Sequence, residues 1–196
     1  MIVVKDVQKK NGEPAILVQT DFSDRWNKVA GQMGGQYSRA YEGRIFDADL
    51  RPQIIAALND VFLHDGSDGP AVTLSVALGK LSIDDDSLLI GPIQALKKWD
   101  RDRTPNLGKG VAVIQGALKP TGGSARYPRI TFTDDCVIRI KDFPASAAAI
   151  LIEREPEAYA IIDSDSDMEF SADEKALIDA LREIEPARRQ HLYNAV

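Results

Sequence analysis

The 196-residue chain contains one cysteine, Cys136, and two histidines, His64 and His191. A lone thiol closes no internal disulfide, so a reducing cytoplasm is the expected location. A structural zinc site takes about four Cys or His ligands at suitable spacing, and three such residues scattered along the chain do not supply one. No apolar run approaches the roughly 20 residues that a membrane-spanning helix needs. Residues 1–6 lack the basic and apolar regions of a signal peptide, which leaves a cytosolic protein with no membrane partner as the expectation. A Ser-His-Asp site would have to draw on His64, with no Gly-x-Ser-x-Gly to accompany it, or on His191 near the terminus in a polar segment. These absences point to a protein that binds rather than catalyses and that carries no cofactor.

The net charge of −6 conceals an asymmetry. Residues 1–93 carry −4, residues 94–130 carry +6 and residues 131–196 carry −8. A sequence pI near 5.0 argues against broad coating of nucleic acid, yet a local cationic segment is competent for phosphate contact.

Hydrophobic periodicity organises the chain as α+β. Residues 2–7 and 15–19 read as strands of a hairpin turning at Gly12. Residues 21–33 place Phe22, Trp26, Val29, Ala30 and Met33 at helical spacing, with Asp21 or Ser23 as cap and Gly34-Gly35 as stop. A short strand is expected at 44–47. Asp49 reads as the cap of a helix to Leu63, with Pro52 in its first turn and Ile54, Ile55, Leu58, Val61 and Phe62 on its apolar face. Strands are expected at 71–78, 88–90, 111–118, 129–133 and 136–140, and helices at 93–99, 144–152, 172–184 and 186–195. The resulting layout is a small β/α N-terminal module (1–66), a β-rich central part with the basic segment (70–143) and a helical acidic C-terminal region (144–196).

Two glycine motifs resemble phosphate loops only in outline. Gly108-Lys109-Gly110 leads into a strand at Val111, whereas a P-loop opens a helix, so a tight turn is the simpler reading. Gly122-Gly123-Ser124-Ala125-Arg126 offers backbone donors and a guanidinium to a phosphodiester. In the acidic stretch, Asp163, Asp165, Asp167, Ser171 and Glu174 occupy positions 1, 3, 5, 9 and 12 of an EF-hand loop. Position 6, where the sharp turn calls for glycine, is Met168. A linker ending in a Ser171/Glu174 capping box explains the same residues without calcium, so no metal is favoured.

The segment Lys97-Lys98-Trp99-Asp100-Arg101-Asp102-Arg103, followed by Lys109, Lys119, Arg126, Tyr127 and Arg129, interleaves cations with aromatics. That pattern suits phosphate contact with base stacking. Asp100 and Asp102 offer the alternative of an ion-paired surface with Trp99 turned into the core.

One block carries a resemblance. Gly34-Gly35, Tyr37, Phe46-Asp47-Ala48 and the turn over 65–69 resemble a module of uncharacterised proteins from bacterial plasmids, phages and integrative elements. Trp99-Asp-Arg101-Asp-Arg103, Leu107-Gly108-Lys-Gly110-Val111, Gly122-Gly123-Ser124 and Lys141-Asp142-Phe143-Pro144 resemble the second half of the same family. The chain departs from the pattern at Tyr37 and Arg44, where the family carries Trp. The first module is similar to the HARP domain of annealing helicases, which implies binding to single-stranded or forked DNA. The resemblance thus implies an accessory DNA-binding protein of a mobile element. In that role Arg39, Arg44, Lys97, Lys98, Arg101, Arg103, Arg126 and Arg129 contact phosphates and Tyr37, Trp99 or Tyr127 stack on bases. The alternative is a phage or plasmid counter-defence inhibitor that docks on a host protein through its acidic surface.

Overall fold

Strands β1 (Val3–Gln8) and β2 (Pro14–Gln19) form an antiparallel hairpin in which Val4 faces Val18 and Asp6 faces Ile16. The computed structural model describes residues 2–9 and 11–162. Helix α1 (Asp24–Gln32) follows, its first turn capped by the Ser23 hydroxyl, which accepts from the Trp26 N–H. The expected start at 21 shifts because Ser23, in extended backbone, takes the cap. Strands β3 (Gln36–Ser38) and β4 (Gly43–Asp47) then complete a sheet of order β1-β2-β4-β3.

The Gly34-Gly35 pair is explained by this corner. Gly34 has φ +78°, and a Cβ on Gly35 would lie 2.3 Å from the Phe46 ring. One glycine turns the chain out of α1 and the other lets the backbone rest on an aromatic face. Helix α2 (Arg51–Phe62) enters through a single 3-10 turn at Ala48–Leu50. Asp49 lies inside that turn and caps nothing; Pro52 occupies the first helical turn, as its missing N–H permits. Ile54, Leu58 and Phe62 are the fully buried members of the expected apolar face. Trp26 lies between Phe46 and Phe62 with ring centroids 6.1 and 6.0 Å away, at the centre of the first core.

The second core is built on strand β5 (Ala71–Ala77). Hairpin β6 (Ser87–Ile90) and β7 (Ile93–Lys97) comes next, and β8 (Asn106–Leu107) pairs with β7. The helix expected at 93–99 is therefore a strand. Ile93, Ala95 and Leu96 are apolar in a run too short to separate the two periods, and pairing with β6 decides it. Strand β9 (Val111–Gln115) ends where Gly116 adopts φ +64°, and β10 (Leu118–Lys119) pairs instead with β11 (Thr131–Phe132), so the expected strand over 111–118 is two. Strand β12 (Val137–Pro144), helix α3 (Ala145–Arg154) and β13 (Tyr159–Ile162) follow. The sheet order is β13-β5-β12-β9. Leu74, Val76, Ile138, Ile140 and Phe143 are its fully buried members, and Ala147 and Ala148 of α3 belong to the same core.

The architecture is mixed α+β. The two cores meet around the β6–β7 turn: Leu89 packs on the first core, Gly91 sits against the Phe143 ring and the Phe62 carbonyl, and the Gln94 N–H donates to Asp21 at 3.2 Å. The helices expected at 172–184 and 186–195, and the acidic loop with Asp163, Asp165, Asp167 and Glu174, lie outside the described residues.

Candidate nucleic-acid interface

Strand β7 ends at Lys97 and Lys98 follows it directly, and the two side chains leave on opposite sides, one half-buried and one fully buried. Lys97 lies half-buried, 2.9 Å from Asp86, and its ammonium stands 5.2 Å from the centre of the Trp99 ring. Trp99 is 73% exposed. The alternative in which it points into the core is thereby excluded.

Lys98 takes the other face and is fully buried. Its ammonium donates to the carbonyls of Arg103, at 2.8 Å, and Pro120. An ammonium sealed inside the protein contacts no phosphate, so Lys98 leaves the set of expected contact residues. Its role is to join two loops, one from β7 to β8 and the other from β10 to β11. The same loops are joined again where the Gly122 N–H donates to the Arg101 carbonyl at 3.1 Å.

The second loop folds tightly on itself. Gly123 has φ +74°, the Ser124 N–H donates to the Tyr127 carbonyl, the Tyr127 N–H donates to the Ser124 hydroxyl, and the Arg129 N–H returns to the Gly122 carbonyl. The Gly122 and Ser124 N–H groups expected to receive a phosphate are therefore occupied within the protein. What the loop presents outward is Tyr127, 65% exposed, with the Arg126 guanidinium 5.4 Å from its ring. Two aromatic rings, each with a cation beside it, thus stand on loops that a buried lysine ties together.

Carboxylates share this surface. Arg101 holds Asp102 with two hydrogen bonds of 2.8 Å, which keep the Asp102 carboxyl below its ordinary range and push the guanidinium up. Arg129 lies 3.9 Å from Asp84. Arg103 and Arg126 are exposed, with no carboxylate within ion-pair reach among the described residues.

Tyr37, Arg39 and Arg44 lie apart from these loops, around β3 and β4. Tyr37 and Arg39 are exposed. Arg44 is a partly buried structural residue: its guanidinium donates to the Gly35 carbonyl at 2.8 Å and to the Asn27 side chain at 3.2 Å, and its Nε is buried without a partner. The Arg44 charge therefore ties α1 to the β3–β4 corner. Beside it opens a cleft of about 160 Å³ whose lining includes Asp21, Phe22, Trp26, Tyr37 and Glu42. Sequence reasoning placed Phe22 on the helix and gave Glu42 no role; its one available signal was an acidic residue set against Gly43 in a tight turn.

Elsewhere, Cys136 is buried and its thiol is pushed up by desolvation, which suits a packing residue. Among the described residues no group of three or more His, Cys, Asp or Glu gathers to hold a metal ion, and no helix is long and apolar enough to cross a membrane. No protein-family model, curated protein or solved structure matches the chain.

Proposed function

We propose that the chain is a non-enzymatic accessory protein of a mobile element that binds single-stranded or forked DNA on the surface built by Trp99 and Tyr127. One observation carries the reading: two largely exposed aromatic rings, each flanked by a cation within 5.2–5.4 Å, on adjoining loops. Base stacking on such rings contributes about 1–3 kcal/mol each and tolerates any sequence. Lys97, Arg101, Arg103, Arg126 and Arg129 supply the phosphate-binding charge. The mobile-element setting comes from the family resemblance.

The test is fluorescence anisotropy with a labelled single strand and a forked duplex, at low salt and again at physiological salt. Binding that weakens steeply with salt and falls in Trp99→Ala and Tyr127→Ala supports the reading. Undetectable binding at low salt ends it.

The ion pairing favours a second reading. Lys97, Arg101 and Arg129 already face Asp86, Asp102 and Asp84, so the surface is mixed in charge and rich in aromatic and arginine side chains, as protein-docking surfaces are. A counter-defence inhibitor that docks on a host protein would use it so. Co-purification of one host protein, lost in Trp99→Ala and Tyr127→Ala, with neither DNA bound at low salt, would favour this over DNA binding.

A further inference from the structure

The cleft beside Arg44 lies outside the surface just described and has a chemistry of its own. Phe22 and Tyr37 line it and are each 62% exposed, a large apolar area left in water. Buried Trp26 forms part of its wall. Two carboxylate residues share the lining: Glu42, and Asp21, which also accepts from the Gln94 N–H at 3.2 Å. The one cation, Arg44, has its terminal nitrogens committed to the Gly35 carbonyl and the Asn27 side chain.

Glu42 adds an independent observation. It holds φ +48°, a left-handed conformation that glycine adopts freely and glutamate does not, while Gly43 follows it directly. Strain of this kind persists where the surroundings over-determine it and gathers at ligand sites. Here the strained residue sets a carboxylate side chain at a cleft with aromatic walls.

We infer that this cleft binds an organic cation, a quaternary ammonium or guanidinium head. Aromatic faces attract such heads through the ring quadrupole, and carboxylates complement their charge. The lining carries a net negative charge, Asp21 and Glu42 outweighing Arg44, which favours a cation over a DNA phosphate. Size fits the same choice: ligand pockets typically reach about 300–1,000 Å³, and about 160 Å³ matches a head group. The head group is either a free small cation or an arginine side chain of a protein, and the chemistry is shared.

The chain has two tryptophans. In a full-length Trp99→Phe background, Trp26 in the cleft wall becomes the only indole reporter. Titration with choline and, separately, with a capped Gly-Arg-Gly peptide distinguishes the two sources. A saturable change in Trp26 emission is expected with at least one of them, in the millimolar range fitting a small open site. The neutral isostere 3,3-dimethylbutanol should bind at least about tenfold more weakly if charge is recognised. Tyr37→Ala should weaken binding about threefold, the scale of one exposed cation–π contact. Glu42→Gly should weaken binding while raising the melting temperature, a pairing that a merely structural residue would not produce. Equal binding of the neutral isostere overturns the inference. So does the absence of saturation with either cation, or saturation by a nucleoside in their place.

Discussion

The Lys98 ammonium, fully buried just past the end of β7, donates to the carbonyl oxygen of Pro120, twenty-two residues further along the chain and in another loop. It donates also to the Arg103 carbonyl, so one side chain closes the turn that follows it and fastens a second loop beside it. Its charge adds, after the stronger hydrogen bond from Arg101, to holding the Asp102 carboxyl low. A buried cation without such partners would be strongly unfavourable.

Lys98→Met keeps the length and apolar stem of the side chain and removes both hydrogen bonds. Hydrogen bonds to charged groups contribute about 1.5–3 kcal/mol each, partly offset by relief of the ammonium's desolvation, so a net loss of about 2 kcal/mol is expected. Urea unfolding should show the lower midpoint. Limited trypsin digestion should cut sooner after Arg101, Arg103 and Arg126, which lie in the two loops. Unchanged digestion would mean that the loops hold their shape without this lysine.

Lys98 also shows how much of the molecule was legible in the sequence. Read as a helix, 93–99 places Lys97 and Lys98 on one solvated side; read as a strand, it sends them to opposite faces. The mistaken element and the mistaken phosphate contact are therefore a single error, made where a short apolar run fits both periods. Helix α1 was legible because Trp26 and Ala30 lie four residues apart and Ser23 offers a cap. Strand β13 was not: its four residues gain their identity by pairing with β5, a partner more than eighty residues earlier. The exposure of Trp99 and Tyr127 is likewise a tertiary property. The cleft was invisible because Phe22 sits at helical spacing with Trp26, yet precedes the cap and stays outside the helix.

Asp142 holds φ +55° at the bulge where β12 slips its register against β5, and its side chain is exposed. Glycine adopts this backbone region without steric cost. Asp142→Gly should stabilise the protein by about 0.5–1 kcal/mol after allowance for the greater freedom of glycine in the unfolded chain. Calorimetry should register a rise of about 2–3 °C. A fall would mean that the Asp142 side chain secures the bulge.

Tyr159 on β13 has its phenol pushed up to about 12, first by burial and then by the charge of Glu155. The unfolded chain releases this proton near pH 10, so the folded state is the one that retains it. The stabilisation is complete below about pH 10 and drains away as pH climbs toward 12. Tyr159→Phe should flatten that part of the stability profile and leave neutral pH little changed. Urea midpoints between pH 8 and 11 measure this; parallel profiles for the two proteins would place the alkaline loss on other groups.

The pair Arg101–Asp102 decides between the two functional readings. Both side chains are exposed, where water and salt screen an ion pair, so Asp102→Asn should leave the melting temperature almost unchanged. It does release the Arg101 guanidinium from a carboxylate that holds it with two hydrogen bonds. If the Trp99 surface takes a nucleic acid, the freed cation gains a phosphate, affinity at low salt rises, and the slope of log K against log salt steepens by about 0.7 for a single strand. If the surface docks on a protein, Asp102 is itself part of the recognised charge pattern, and its loss should weaken capture of that partner instead. An Asp102→Asn protein with unchanged DNA affinity and an unchanged salt slope would remove Arg101 from the interface altogether.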